Sequence, residues 1–458
     1  MRGVSKSYDF IVVGSGCGLI ITDEAVDHDL KVALVDRGPL GGTCLNVGCI
    51  PSKMLIYAAD RVVEAQAASK IGVKVEIRSI NFKAIMERMH ESVQSGQEHV
   101  RKVITKSKKL DYYEGEGHFI GDLTMEVNGE RIKGKRIFLA SGSRTFIPPI
   151  KGLESVDYLT NESALRLDKA PESLIVIGGG YIAVEFGHFF AAMGTKVTIL
   201  EMADRLVLSE EAEIADLLKK KLSKRMEIHT GSPVQEVRKD ENGEGVIVVI
   251  KDKAGGQVKE FTAQKVMVAV GRRSNADLLK VENTGIQLDE RGYIKVDEYL
   301  QTGRKGIYAV GDANGRQMFT HVANMEANIA VDNVLHGKKQ KIDYSAAPHA
   351  VFSHPQIASV GLSEEKARAN HKVLVGKTRY FDVAYGEAMM EKDGFAKAII
   401  EEETGKILGF HIIGPYAPIL IQEVVNAIAS KGHTGEIFKG IHIHPALSEL
   451  IPTTLGGL

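Results

Sequence analysis

Cys44 and Cys49 stand in GGTCLNVGCIPSK with four residues between them, and the 458-residue chain holds three cysteines in all. So few cysteines cannot be a disulfide scaffold for a chain this long. Two placed together read as a redox pair that alternates between disulfide and dithiol. A disulfide needs Cβ atoms about 3.5–4.5 Å apart. Residues one helical turn apart hold them at about 5–6 Å. The backbone between the two cysteines must therefore be irregular. Gly48 supplies conformational freedom just before the second cysteine, and Pro51 suits the first turn of a helix. The segment predicts a loop closing onto a helix start, where a thiol has a lowered pKa. The alternatives are two unpaired thiols or two zinc ligands. Zinc needs two further ligands, and none stands nearby in the sequence.

The elements around this pair repeat one unit. Residues 9–16 run DFIVVGSG, a buried strand ending at Gly14 and Gly16. A helical stretch follows, then KVALVD ends in Asp36. Glycines let the backbone approach a pyrophosphate at a helix N-terminus, and the acid accepts from a ribose hydroxyl. The third glycine position is Leu19, with Gly18 beside it, which predicts altered packing of helix on strand. Cys17, inside the turn, reads as a small filler. The unit recurs at 174–201, with Gly178, Gly180 and Ala183 after LIVIGGG and Glu201 at the end of KVTILE. Two such units, each with its acid, predict two dinucleotides. Glu201 accepts from a free 2′-hydroxyl and repels a 2′-phosphate, so it favours NAD over NADP. Arg205 weakens that preference without reversing it.

A nicotinamide moves hydride, whereas a disulfide is cleaved by thiolate attack. A flavin connects the two chemistries, so two binding units plus a cysteine pair call for FAD and NAD together.

Length allows about three domains. The chain is 26% charged with a net charge of −1, which excludes a global basic field for nucleic acid or an anionic membrane. Lys219, Lys220 and Lys221 read as a solvated helix face. A strand pattern beginning by Tyr8 leaves no room for a signal peptide, and no apolar run reaches membrane-spanning length. The expected compartment is a reducing cytoplasm, where a cysteine pair is catalytic rather than structural.

Seven segments carry a resemblance to the pyridine nucleotide–disulfide oxidoreductases. They are the glycine turn at 14–18, GGTCLNVGCIPSK at 41–53, LASGSR at 139–144, IGGGYIAVEF at 177–186, VGRRSN at 270–275, IYAVGDA at 307–313 and HPALSE at 444–449. The resemblance implies an α/β chain with two Rossmann-like dinucleotide-binding domains and a C-terminal α+β dimerisation domain. Residues 1–148 with 276–345 would bind FAD, 149–275 NAD, and 346–458 would form the interface of a homodimer. Cys49 would lie beside the flavin, and Cys44 would exchange with the substrate. Lys53 would pair with Glu185 near flavin N5. Asp36 would take the adenosine ribose of FAD and Asp312 its ribityl chain. Gly42, Thr43, His118, Ser141, Gly142 and Gly271 would be further cofactor-binding positions. A helix beginning near His321 would face the flavin pyrimidine.

The resemblance makes His444 and Glu449 the acid–base pair, acting in the partner subunit's site. A histidine side chain suits proton transfer near neutral pH, and a carboxylate bond would fix the tautomer of His444. His442 is given no role. Within the family, Glu201 and HPALSE point to dihydrolipoamide oxidation by NAD, with a lipoyl-bearing protein as partner. THVANMEAN and VGRRSNADLL are similar instead to reductases of small disulfides such as that of mycothiol.

Overall fold

Uniformly apolar strands such as FIVV suit a parallel sheet covered on both faces. This run ends strand Lys6–Val13, where Phe10, Ile11, Val12 and Val13 are buried. Val32–Asp36 and Glu130–Leu139 flank it in parallel, with Leu110–Glu114 beyond the first and Ile307–Ala309 beside the second. Antiparallel Thr124–Val127 and Gly117–Gly121 complete seven strands. Helices Gly18–Asp27 and Thr320–His336 join this core through Ile21, Ala25, Ala327 and Ala330.

The second glycine turn follows Ser173–Ile177, central in a parallel five-stranded sheet. Lys196–Leu200 and Glu227–His229 lie on one side, Lys265–Val268 and Tyr158–Leu159 on the other. Three antiparallel strands, Val234–Lys239, Val246–Lys251 and Val258–Ala263, share its core. A further antiparallel sheet runs Pro348–Val351, Ile357–Gly361, Ile407–Ile413, Phe395–Glu401, Val373–Arg379. Helices Ala417–Ser430 and Leu450–Gly456 pack on it through Ile421, Val424, Leu450 and Ile451. The expected α/β class with an α+β C-terminal region is the class observed.

These elements come from a computed structural model that describes residues 6–241, 243, 245–253 and 255–457. They fall into two compact units. One comprises Met1–Pro51, Glu87–Phe146 and Gly271–Asp343; the other comprises Ser52–Met86, Ile147–Val270 and Tyr344–Leu458. Among the described residues, no helix is long and apolar enough to cross a membrane. The lysine run lies on helix Ala212–Leu222 and is more than a solvated face. Lys219 donates to Thr230 at 2.8 Å, and Lys221 pairs with Asp393 at 2.5 Å.

Candidate active site

The first turn needs its glycines for space as well as conformation. Gly14 has φ +103°, and a Cβ there would lie 2.2 Å from the Ala140 carbonyl oxygen. Asp36, ending the next strand, accepts from Ser15 N at 2.5 Å and Gly38 N at 2.8 Å, so its carboxylate is fixed against the turn. The altered packing expected from Leu19 does not follow, because Gly18 supplies the close approach. A Cβ on Gly18 would sit 2.9 Å from Val12 Cγ1 and 3.2 Å from Ala140 Cβ. Burial pushes the Cys17 thiol up to about 12, in keeping with a filler.

The cysteine segment is built directly on that turn. Gly41 N donates to Ser15 Oγ at 2.9 Å. A Cβ on Gly42 (φ +64°) would lie 2.7 Å from Gly16 Cα. The predicted loop is in fact a five-residue helix, Gly42–Asn46, which carries Thr43 and Cys44. Asn46 Nδ2 binds the carbonyls of Pro39, Leu40 and Gly42 at 3.1, 3.0 and 2.8 Å, and Gln97 holds its Oδ1 at 2.6 Å. The helix breaks at Val47, and Cys49 opens the long helix Cys49–Ala67. This break is the irregularity that pairing requires. Gly48 serves it by space: a Cβ there would meet Thr43 O at 2.8 Å.

Cys44 and Cys49 are not joined by a disulfide in this structure. The hydrogen bond to Cys49, then burial, pushes the Cys44 thiol up, against a smaller opposing effect of Thr320. The lowering expected of a helix-start thiol therefore does not extend to Cys44, whose proton is held. Thr320, first residue of helix Thr320–His336, places its Oγ1 3.3 Å from Cys49 Sγ. Sequence reasoning singled out His321 and missed Thr320. The His321 ring stacks on Phe319, centroids 5.7 Å apart, in the same first turn.

Asp312 lies in the turn after Ile307–Ala309, and its Oδ2 accepts from Ser143 Oγ at 2.5 Å. Arg272 backs this contact, donating to Ser143 Oγ and Ser143 O at 2.7 Å each. Glu326, fully buried, holds the turn from beneath by accepting from Gly311 N at 2.6 Å and Asn314 Nδ2 at 2.7 Å. Gly142 (φ +66°) and Gly271 (φ +130°) both face open space at Cβ. His118 lies in a hairpin opposite Glu126, while Gly115, three residues earlier, bonds Asp36 O at 2.9 Å. Ser141 Oγ is buried without a partner among the described residues. Leaving it so costs about 1–3 kcal/mol, and the polar oxygens of a bound dinucleotide would satisfy it. The glycine cradle, Asp36, Asp312 and this orphaned hydroxyl fit FAD.

The second turn repeats the design. Gly178 has φ +113°, and its Cβ would lie 2.4 Å from Ala269 O. Gly180 caps helix Tyr181–Ala192 and faces open space, which leaves the helix N-terminus approachable. Ala183, fully buried, fills the third position. Glu201 accepts from Ala203 N at 2.6 Å and lies against Gly179, where a Cβ would be 2.8 Å from its Oε2.

Lys53 and Glu185 meet at 2.7 Å. Glu185 is only 7% exposed, and its other oxygen accepts from Phe352 N at 2.9 Å. Lys53 Nζ also lies 4.6 Å from the centroid of the Phe352 ring. His444 Nδ1 bonds Glu449 Oε1 at 2.8 Å, in a side chain 72% exposed. An ionised carboxylate only accepts, so Nδ1 carries a proton, and in the neutral ring the Nε2 lone pair is left as a base. The His444 bond, with a second from Ala446 N, holds the Glu449 carboxyl below its ordinary range. His442, given no role from sequence, bonds Glu423 at 2.7 Å.

These arrangements match known proteins along nearly the whole chain. The family model for pyridine nucleotide-disulphide oxidoreductases matches residues 8–327, and that for the dimerisation domain of the same family matches 347–455. The chain belongs to this family of flavoprotein disulfide oxidoreductases and uses FAD and a pyridine nucleotide. Among its relatives, dihydrolipoyl dehydrogenase of Bacillus subtilis (strain 168) is 34% identical over 98% of this chain and 97% of its own. Mycothione reductase of Mycobacterium tuberculosis (strain ATCC 25618 / H37Rv) is 34% identical over 99% of this chain and 100% of its own. A solved Cu(II) complex of the HOCl-induced flavoprotein disulfide reductase RclA from Escherichia coli superposes with TM-score 0.88. It is 27% identical and covers 99% of this chain and 100% of that one.

Proposed function

We propose that this protein oxidises a dihydrolipoyl group with NAD+ as acceptor, in the cytoplasm, as a homodimer. The observation that carries the reading is Glu201, whose carboxylate sits against Gly179 where an NAD ribose would lie. A 2′-phosphate there would meet a like charge. In this reading residues 1–148 and 276–345 hold FAD, 149–275 hold NAD, and 346–458 dimerise. Asp36 and Asp312 take the ribose and ribityl hydroxyls of FAD, with Gly42, Thr43, His118, Ser141, Gly142 and the His321 helix end about the same cofactor. Lys53, one turn after Cys49 on one helix, attends that cofactor with Glu185. FAD held there would supply the two-electron chemistry that connects the cysteine dithiol to the nicotinamide.

The chain's own residues do the rest. His444 Nε2, serving the partner subunit, takes the proton of one substrate thiol. The thiolate attacks Cys44 Sγ, the Cys44–Cys49 bond breaks, and Cys49 leaves as thiolate. The second substrate thiol then displaces Cys44 and closes the substrate disulfide. Its proton replaces the one that His444 returns to Cys44. Two electrons and two protons have left the substrate, and the cysteines stand reduced.

A second reading, reduction of a small disulfide such as mycothione, is favoured by the equally long match to mycothione reductase. Steady-state assays separate the two. Dihydrolipoamide with NAD+ is set against a panel of small disulfides with NADH or NADPH. Turnover of dihydrolipoamide supports the first reading; its absence, with reduction of a panel member, replaces it.

A further inference from the structure

Helices Cys49–Ala67 and Tyr181–Ala192 are joined by two polar rungs. The first is Lys53–Glu185. The second is His188, whose Nε2 lies 2.9 Å from Asp60 Oδ1. Seven residues along one helix and three along the other keep both rungs on facing strips. His188 is 0% exposed and Asp60 8%. Arg225 Nη1 lies 3.0 Å from His188 Nδ1. A guanidinium can only donate. Nδ1 therefore accepts, the ring proton sits on Nε2, and His188 is a neutral imidazole of one tautomer between a cation and an anion.

Arg225 Nη2 also donates to His354 O at 3.2 Å, and Phe352, two residues earlier, donates its N–H to Glu185. One short loop is thus pinned by both rungs. Leu55, Ile56, Phe186 and Phe189 line a small cavity beside Glu185. Burial lowers the pKa of His188, in keeping with a neutral ring. Burial would raise Asp60, but the hydrogen bond from His188 and the nearby His354 ring, 3.7 Å away, outweigh it and hold the carboxyl at about 2.

Apolar side chains of this volume would pack the two helices at least as stably, because a buried charged network is poor at stabilising and good at specifying one arrangement. We infer that Asp60, His188 and Arg225 are positioning residues: they fix the rotation and register of the two helices, and so the place of the Lys53 ammonium and Glu185 carboxylate. The inference rests on the reading that this pair attends the flavin.

The test uses full-length holoenzyme and reads the flavin midpoint potential by dye-coupled reduction. That readout needs no disulfide substrate, so an error in the substrate assignment leaves it intact. His188→Leu removes both bonds at similar volume. It is expected to move the potential in the same direction as Lys53→Met and to lower kcat about 10- to 100-fold with KM unchanged. His188→Gln offers one amide donor and one carbonyl acceptor in the same places, and is expected to keep the wild-type potential. In the double variant with Lys53→Met, His188→Leu is expected to add no further shift. A wild-type potential in His188→Leu, equal shifts in Leu and Gln, or additive shifts in the double variant would each overturn the inference. If His188→Leu does not fold, Arg225→Gln is read instead: a smaller shift in the same direction supports the inference, and no shift overturns it.

Discussion

The two glycine turns solve one problem twice and differ in what is attached to them. Gly14 and Gly178 have φ near each other, +103° and +113°, and each presses on the carbonyl at the end of a neighbouring strand, Ala140 or Ala269. Each acid accepts an N–H two residues on, Asp36 from Gly38 and Glu201 from Ala203. The first turn is also wired to the cysteine segment, through Ser15 to Gly41 and through the contact of Gly16 with Gly42. Asp36 reaches back into its turn at Ser15 N, whereas Glu201 bonds forward to Ala203. A turn whose own backbone meets the cysteine segment suits a cofactor that stays; a turn tied to the cysteine helix through side chains of its following helix, Glu185 and His188, suits a nucleotide that comes and goes.

The largest effect expected from this difference is at Cys44. Cys44→Ser removes the exchanging thiol, and turnover with any dithiol or disulfide should fall at least about 1,000-fold. Reduction of the bound flavin by NADH should persist, because the second turn is untouched. Stopped-flow absorbance against steady-state rate checks both halves.

Gly42→Ala and Gly178→Ala then test the wiring. The first puts a Cβ 2.7 Å from Gly16 Cα at φ +64°, a left-handed strain of about 1–2 kcal/mol before the clash is counted. The purified protein should lose its yellow colour and its disulfide chemistry together. Gly178→Ala should leave FAD bound at full stoichiometry and weaken only the nicotinamide. Equal loss of FAD in both would erase the contrast between the turns. Glu201→Ala is milder: KM for NAD+ should rise about tenfold, or about 1.4 kcal/mol. An unchanged KM would mean the carboxylate does not touch the ribose.

The smallest effect concerns stability. Asp60 has its carboxyl lowered from 3.8 to about 2 in the fold. It therefore stabilises above the unfolded value, and this contribution of about 2 kcal/mol is lost as pH falls from about 4 towards 2. In Asp60→Asn, stability should vary less with pH across that window, as measured by denaturant midpoints. The same slope as wild type would remove Asp60 as the cause.

The contrast between the turns was half legible in the sequence. Glycine spacing and terminal acids are local signals, so both turns, Asp36 and Glu201 could be read off. So could His444 with Glu449 and Lys53 with Glu185, through segments that resemble a family. What could not be read depends on folded proximity. Leu19 looked like a defect because only the fold places Gly18 against Val12. The cysteine loop is a short helix because Asn46 binds three carbonyls behind it, a closure no periodicity announces. Thr320 meets Cys49 across 271 positions of sequence, and Asp60, His188 and Arg225 come from three separate segments.

The central claim is that Cys44 and Cys49 pass electrons from a dihydrolipoyl group to NAD+. Anaerobic mixing of the oxidised holoenzyme with dihydrolipoamide, followed by NAD+, tests it most directly. The account predicts loss of flavin absorbance with dihydrolipoamide, then stoichiometric NADH on adding NAD+, with neither change in Cys44→Ser. NADH formation by Cys44→Ser at the wild-type rate, or no flavin reduction in the wild type, would contradict it.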